Sequence, residues 1–237
     1  MCDERWGVMG ASRIDSRLLG RLTEQSQDVN STAMRMTGSA LSEVGGRVSR
    51  EDVMALQTAA SLENLAVGVY QQAAGLPFIK NGNKTVAAFI ATTISQHGAH
   101  ARAFNAAATK AGGKAQTAPN AKYAAIVKKA LPGIKGPADV VALAITLEDV
   151  AAQTYTKYTG DVRDARLRSL FASIAPVEAQ HRAVLLAVRA LLGTGRPELI
   201  ALPTRVAALP AAAGSVGFPE GFYPVKNASP ISEGAVK

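Results

Sequence analysis

The sequence predicts an all-α protein, a four-helix bundle with a long crossover connection between its second and third helices. The chain is rich in alanine and only 5% aromatic, and this composition favours helices over strands. Four long segments carry apolar residues at the i, i+3, i+4, i+7 spacing of one buried helical face. With 237 residues the chain can form one large domain or two small ones, and either buries a substantial core.

The first helix is predicted over residues 49–74. Ser49 followed by Asp52 fits an N-terminal capping pattern, in which the serine oxygen accepts a free backbone N–H, and Gly75 ends the helix. Glu63 lies in the middle of the apolar stripe, where a charge is costly unless something pairs with it. The other residues of the stripe are Leu56, Ala59, Ala60, Ala66, Val67 and Tyr70.

The second helix is predicted over residues 85–111 and is ended by Gly112. His97 and His100 lie on its inward face, again near the middle of the helix. The rest of that face is Ile90, Thr93, Ile94, Ala101 and Phe104. Two predicted helices therefore carry polar side chains at the centre of an apolar stripe.

Residues 112–136 form a connection that is unusually long for a hairpin between neighbouring helices. Such a length suits a crossover that travels along a bundle, and a short helical segment is predicted within it at 120–130. The third helix is predicted over 137–160, with Glu148 and Tyr155 on its inward face.

The fourth helix is predicted over residues 161–192. Its inward face carries Glu178 and His181 together with Phe171, Ile174 and Leu185. Pro176 falls inside this segment and removes one backbone hydrogen bond, so a kink is expected just before Glu178.

The bundle is predicted to occupy residues 49–193, with a flanking segment on each side. Residues 1–48 are expected to be a partly ordered N-terminal arm. Residues 194–237 contain six of the eleven prolines and are expected to be an extension packed on the bundle, with a disordered end. Its expected anchors are Leu199, Ile200, Leu202, Phe218, Phe222 and Tyr223.

The three histidines of the chain all lie in short motifs that predict a metal site. His97 and His100 form an HxxH motif, Glu178 and His181 form an ExxH motif, and each follows a lone glutamate, Glu63 or Glu148. Residues at i and i+3 share a helical face, and all four motifs are mid-helix, so they lie at one depth. Three carboxylates and three imidazoles suit iron, manganese or zinc.

Each of these residues also has an ordinary structural interpretation. A single glutamate here is usually an exposed helix residue, and a single histidine is usually a hydrogen-bonded core residue. Six such residues at matched depth favour a metal site, and the sequence predicts two ions. Tyr70 and Tyr155, each seven residues after a lone glutamate, are candidate catalytic residues or core residues with a hydrogen-bonded hydroxyl.

The chain resembles the ferritin-like superfamily, which includes ferritins, bacterioferritins, rubrerythrins and manganese catalases. It resembles more closely the bacterial ferritin-like domain proteins with a long Pro-rich C-terminal extension, over roughly residues 50–225. The segments that carry the resemblance are 62–72 (LENLAVGVYQQ), 96–105 (QHGAHARAFN), 177–188 (VEAQHRAVLLAV) and 197–224 (PELIALPTRVAALPAAAGSVGFPEGFYP).

The resemblance implies a role for each matching position. Glu63 and Glu148 would be terminal carboxylates, Glu178 a bridging carboxylate, and His100 and His181 imidazole ligands. The superfamily usually has a second bridging glutamate at the position of His97.

The exchange at His97 removes one bridge and one negative charge from the expected site. Gln96 cannot replace the missing carboxylate, because it points about 100° away around the helix. The site could therefore bind metal asymmetrically, favour a lower oxidation state, or hold a single ion.

The function expected from this resemblance is iron binding with oxidation of Fe(II) by oxygen or peroxide. One alternative is manganese-dependent disproportionation of peroxide. Another is a non-enzymatic stress or interaction protein with a structural or vestigial metal site. Assembly into a homo-oligomer is left open.

Composition bounds the location and partners of the protein. The sequence contains no run of about eighteen apolar residues, so no membrane span is expected. The N-terminus lacks the apolar region of a secretory signal. The single cysteine, Cys2, excludes an intrachain disulfide framework. A cytoplasmic protein is expected. The net charge of +8 is concentrated in six lysines between Lys110 and Lys135, where a solvated basic face is favoured over a nucleic-acid surface.

Overall fold

The computed structural model describes residues 48–193, 195 and 226–236. The helices are α1 (Arg50–Gly75), α2 (Pro77–Lys80), α3 (Lys84–Lys110), α4 (Ala121–Ala130), α5 (Pro137–Asp161) and α6 (Ala165–Gly193), and a 3₁₀ turn (Leu131–Gly133) follows α4. The predicted all-α bundle is confirmed. The N-terminal arm up to residue 47 and the six expected anchors of the extension lie outside the described residues.

The four long helices pack as two hairpins. α1 packs mainly on α3 and α5 packs mainly on α6, while the contacts of α1 with α5 and of α3 with α6 join the hairpins. Short links within each hairpin make its helices antiparallel neighbours. The crossover between the hairpins carries α4, which packs on both α1 and α5. No helix in the described ranges combines the length and apolar character that a membrane span needs.

Capping side chains fix where the helices begin. Ser49 accepts the N–H of Asp52 at 3.0 Å, as the sequence predicts. Asn83 caps α3 by accepting two backbone N–H groups at 2.8 and 3.3 Å, and Asn120 caps α4 in the same way. These bonds satisfy N–H groups that the first turn of a helix otherwise leaves free.

The start of the fourth long helix differs from the prediction, because α6 begins at Ala165 and Asp161 is the last residue of α5. Asp164 caps α6, since its Oδ1 accepts two first-turn N–H groups at 2.9 and 3.2 Å. The turn is also held from α1, where the buried Asp52 accepts the N–H of Arg163 at 3.0 Å and of Asp164 at 3.1 Å.

Two apolar clusters lie on opposite sides of the level at which the predicted metal ligands occur. On one side the rings of Phe104, Tyr155 and Phe171 pack with centroids 5.1–6.0 Å apart. The other side holds an aliphatic cluster around Tyr70 and Ile145. The middle of the bundle therefore lies between apolar clusters at both ends.

Residues 226–236, near the end of the chain, lie against α1 and α5. Thr58 donates its hydroxyl to the carbonyl of Ile231 at 2.6 Å and accepts the N–H of Gly234 at 3.0 Å. Thr154 accepts the N–H of Ser229 at 2.9 Å. Polar side chains on the bundle thus supply the backbone hydrogen bonds that this short segment cannot make within itself.

Gly234 explains how closely the segment approaches α1. A Cβ atom at this position would lie 2.3 Å from Ser61 Oγ and 2.9 Å from Thr58 Cα, both far inside normal contact distance. A residue with a side chain therefore cannot take this place without a shift of the backbone.

We predict that Thr58→Val destabilises the protein by about 1–3 kcal/mol, because two buried backbone groups lose their partner. Urea unfolding followed by circular dichroism measures the change. Thr146→Val is the matched control, since Thr146 is exposed and its hydroxyl bonds only to Ala142 O of its own helix. Equal losses in the two variants would contradict a stabilising role for the docked segment.

Candidate metal centre

The four long helices bring all six predicted ligands together in the middle of the bundle. They form two groups, and within each group the potential ligand atoms lie within 4.8 Å of one another. The first group is Glu63, His97, His100 and Glu178, and the second is His97, Glu148, Glu178 and His181. His100 is the most exposed of the six, with 13% of its side chain accessible.

The first group lies between α1, α3 and α6. His97 Nδ1 is 2.7 Å from Glu63 Oε2, and His100 Nδ1 is 2.8 Å from Glu178 Oε1 and 3.6 Å from Glu63 Oε2. Two imidazoles and two carboxylates thus converge, which is the mixture of nitrogen and oxygen donors that borderline divalent metals bind.

The second group lies between α3, α5 and α6. His97 Nε2 is 3.2 Å from Glu148 Oε1, and His181 Nδ1 is 3.3 Å from Glu148 Oε2 and 3.4 Å from Glu178 Oε2. Glu178 belongs to both groups and directs one carboxylate oxygen to each, Oε1 to His100 and Oε2 to His181. Glu178 therefore faces both groups.

His97 also belongs to both groups, but through its two ring nitrogens. Nδ1 faces Glu63 and Nε2 faces Glu148. The ring of Tyr70 stacks on the imidazole with a centroid separation of 5.6 Å and an angle of 26° between the planes. The imidazole of His97 is therefore held between the two groups.

The two tyrosines bond across the bundle to the lone glutamates. Tyr70 on α1 donates its hydroxyl to Glu148 Oε1 on α5, and Tyr155 on α5 donates to Glu63 Oε1 on α1 at 2.6 Å. Each hairpin thus orients the lone glutamate of the other. Burial, and then the negative charge of the glutamates, raise the pKa of both hydroxyls well above the ordinary value, so both remain protonated donors.

Mutual attraction shifts the pKa values of the acids and bases in the cluster in opposite directions. Burial opposes the charged form of Glu63, but the nearby His100 and His97 outweigh it and lower the pKa of Glu63 to about 2. Burial likewise opposes ionisation of Glu148, and His97 and His181 hold the pKa of Glu148 well below its ordinary value. Glu63 and Glu148 are therefore both charged at neutral pH.

The imidazoles respond in the reverse sense. Burial opposes their charged form, but the surrounding glutamates outweigh it. The pKa of His100 is raised to about 10 and that of His181 to about 9. The pKa of His97 is raised well above its ordinary value, with Glu178 and Glu148 as the leading causes after burial. Without metal, protons on the imidazoles balance the carboxylates.

Buried polar atoms without hydrogen bonds at the centre indicate whether a cation fits there. Glu178 Oε1, Glu178 Oε2 and His100 Nδ1 are buried and, among the described residues, have no hydrogen bond of acceptable geometry. Glu178 Oε1 and His100 Nδ1 are only 2.8 Å apart, so they are close but poorly aligned for a hydrogen bond. Buried polar atoms without partners are costly, and a metal ion would accept their lone pairs. The donor set fits a metal.

Gln96 is a site residue that the sequence interpretation missed. Its Oε1 accepts a hydrogen bond from His181 Nε2 at 2.7 Å, which leaves Nδ1 directed at Glu148 and Glu178. An acceptor on the second nitrogen is the usual device that fixes the tautomer and ring orientation of a histidine ligand. The 100° rotation from His97 could be read from the sequence, but that this rotation turns Gln96 towards α6 depends on how the helices pack.

A second missed contact lies directly beside the ligands. Arg182 Nε is 2.8 Å from Asp149 Oδ1, and these residues follow His181 and Glu148 in the sequence. The pair joins α6 to α5 at the level of the candidate centre. Their position next to two ligands was the available signal.

We predict that Gln96→Leu weakens metal binding by about 10- to 100-fold, because the His181 ring loses the partner that orients it. Competition between the protein and a chromophoric chelator for Co²⁺ measures the affinity. The matched control is Gln71→Leu, at an exposed position on α1. Unchanged affinity in Gln96→Leu would show that the His181 ring is oriented without Gln96.

Comparison with known proteins agrees with the fold and the donor set. The ferritin-like domain family matches residues 51–192, which is more than half of the chain and contains all six candidate ligands. No curated protein and no solved structure gives a significant match. The helical architecture and the family match lead to one conclusion: this chain belongs to the ferritin-like domain family.

Proposed function

We propose that the protein binds two iron ions in the middle of its bundle and oxidises Fe(II) with oxygen or peroxide in the bacterial cytoplasm, as a ferritin-like domain protein with a Pro-rich C-terminal extension. The observation that carries this proposal is the pair of four-donor groups that share His97 and Glu178. A shared carboxylate between two donor groups is the arrangement of a dinuclear centre in a ferritin-like bundle.

Each ion would have its own ligands and one shared carboxylate. Glu63 and His100 would hold the first ion, and Glu148 and His181 would hold the second. Glu178 would bind both, because its two oxygens face different groups. His97 has one nitrogen towards each group and is available to either.

The chain holds and encloses the ions, while the bound iron supplies the electrons that reduce the oxidant. Glu63 and Glu148 are fixed by hydrogen bonds from Tyr155 and Tyr70, so they need little reorganisation when an ion binds. Glu63, Glu148 and Glu178 are at most 2% exposed, which excludes bulk water and strengthens their attraction for a cation. Both tyrosines lie within reach of the ligands as hydrogen-bond donors or as a source of an electron.

Iron loading and oxidation test the proposal in two steps. The full-length protein is loaded with Fe(II) without oxygen, its iron is counted, and oxygen or peroxide is then added. We expect two iron ions per chain and ferric absorbance that develops faster than in protein-free buffer. Bound iron that oxidises no faster than the buffer control would refute the oxidase function while leaving metal binding in place.

Manganese is the first alternative, because three carboxylates and three imidazoles suit Mn²⁺ as well as Fe²⁺. In this case the reaction would be disproportionation of peroxide. Oxygen evolution from peroxide that appears only after manganese loading would replace iron oxidation as the function.

A non-enzymatic role is the second alternative, and the raised pKa values of the histidines favour it. Protonated imidazoles can neutralise the buried carboxylates, so the bundle can form without metal. The bundle would then be a scaffold for a stress response or a partner. Absence of stoichiometric iron or manganese after reconstitution would support this role.

A further inference from the structure

A cavity of about 150 Å³ lies between α1, the crossover and α5. Its walls come from three elements, with Ala73 on α1, Val127 and Ile134 on the crossover, and Val140 and Leu143 on α5. The short helix α4 and the 3₁₀ turn after it cover this side of the bundle. Leu131 also lines it and is 43% exposed, so three separate parts of the fold form a pocket that is partly open to solvent.

The lining of the cavity is almost entirely aliphatic. The only polar side chains among the lining residues are Tyr70 and Gln72, and none carries a charge. The Tyr70 hydroxyl already donates to Glu148, and Gln72 is exposed on the surface of α1. An ion or a strongly polar molecule would lose its hydration here without gaining partners, so it is excluded.

The volume identifies the size of the ligand. An enclosed apolar cavity of about 150 Å³ takes up a molecule the size of benzene, and this partly open pocket offers the same volume. The aliphatic side chains around the space lack packing partners on that side, and a ligand supplies them. A single six-membered ring or a short aliphatic chain without charge matches both the volume and the lining.

The cavity adjoins a second one at the candidate metal centre, and Val69, Tyr70 and Ala144 line both. A smaller cavity of about 20 Å³ lies further along the contact between α1 and α5 and is lined by Glu63, His97 and Glu148. Tyr70 lines both cavities and stacks on His97. A molecule in the larger cavity therefore contacts the residue that orients Glu148.

We propose that this cavity is a binding site for a small, uncharged apolar molecule, a single ring or a short aliphatic chain, seated against Tyr70. The site does not require a bound metal, because its lining includes none of the six candidate ligands. It is therefore independent of the iron-oxidising function and goes beyond it.

Fluorobenzene is the probe, titrated into the metal-free full-length protein and followed by ¹⁹F NMR, with displacement by benzene. Two variants fill the cavity from opposite walls, Ala73→Leu from α1 and Leu143→Phe from α5. Ala142→Leu adds the same volume as Ala73→Leu at an exposed position of α5 and is the matched control. Thermal unfolding of each protein establishes that it is folded.

We expect saturable binding to the unmodified protein and to Ala142→Leu, with displacement by benzene and none by benzoate. Binding should weaken at least tenfold in Ala73→Leu and in Leu143→Phe. Absence of saturable binding to the unmodified protein would overturn the proposal. So would unchanged affinity in a folded filling variant, or equal competition by benzoate.

Discussion

Glu178→Gln is expected to abolish metal binding at both donor groups. Glu178 is one of two residues common to the groups and offers one oxygen to each, and an amide keeps the size of the side chain but supplies no charge. Loss of a partner that only orients a ligand already weakens binding by about 10- to 100-fold. Loss of a shared charged ligand should therefore exceed about a hundredfold, measured by chelator competition and by the number of ions bound.

Glu63→Gln supplies the contrast that makes this result specific. Glu63 belongs to one group only, so its loss should weaken one ion and leave the other bound. Glu51→Gln is the neutral control, because Glu51 is exposed in the first turn of α1. If Glu178→Gln lost no more ions than Glu63→Gln, Glu178 would not bridge two sites.

Circular dichroism separates loss of a ligand from loss of the fold. Glu178→Gln replaces one carboxylate oxygen by an amide NH₂ and removes the charge that faces His100 and His181. It breaks no well-aligned hydrogen bond among the described residues, and the amide keeps the size of the side chain. We therefore expect Glu178→Gln to keep its helical content. A folded variant that no longer binds metal is the informative outcome.

The helices and the depth of the candidate site could be predicted from the sequence because both depend on local periodicity. The 3.6-residue repeat fixes which face of each helix is buried, and the middle of a helix must pack near the middle of its neighbours. Glu63, Glu148 and the two histidine motifs therefore meet although they are far apart in the chain.

Contacts that depend on how the helices are rotated against each other could not be predicted. Gln96 reaches His181, and Tyr70 reaches the glutamate of the other hairpin, because of the angle at which the helices pack. No spacing within one helix encodes that angle. The donor set was thus accessible from the sequence, while the residues that orient it were not.

The start of α6 was missed for a related reason, and the individual contacts of the C-terminal segment were not predicted. Asp161 and Asp164 are equally good capping residues, and the contact of Asp52 with the turn favours the second. The C-terminal segment is ordered by polar side chains on α1 and α5, such as Thr58. The pattern of apolar residues does not predict contacts that a segment makes through backbone hydrogen bonds.

Metal affinity is expected to rise about 10- to 100-fold from pH 7 to pH 8. Metal binds the neutral imidazole, but the pKa values of His100 and His181 are raised to about 10 and 9. Each ion must therefore displace at least one proton, and each displaced proton adds one logarithmic unit of affinity per pH unit. The two histidines belong to different groups, so both ions should show the dependence.

Calorimetry of Zn²⁺ binding in buffers of different ionisation enthalpy counts the released protons. We expect one or two protons per ion at pH 7, and fewer for the second group in His181→Gln. An affinity that does not change between pH 7 and 8, with no proton release, would show that the imidazoles are already neutral in the metal-free protein.

The stability of the metal-free protein should depend on pH through the same charged groups, and the direction of each change can be stated. The folded pKa values of the histidines exceed their unfolded value of about 6.5, so their contribution is complete below that pH and is lost as pH rises through 9 to 10. The pKa of Glu63 is lowered to about 2, so its contribution is present above about pH 4.5 and is lost in acid. The unfolding temperature should therefore decrease both above and below the neutral pH range.

Bound metal should prevent the loss of folding stability at alkaline pH. Above pH 9 the imidazoles of the metal-free protein lose the protons that balance Glu63 and Glu148, and the buried carboxylates then repel one another. A metal ion supplies positive charge that does not titrate away, and its affinity is highest where the imidazoles are neutral. The gain in unfolding temperature on adding Zn²⁺ should thus be larger at pH 9 than at pH 7. An equal gain at both values would mean that protons and metal do not compete for His97, His100 and His181.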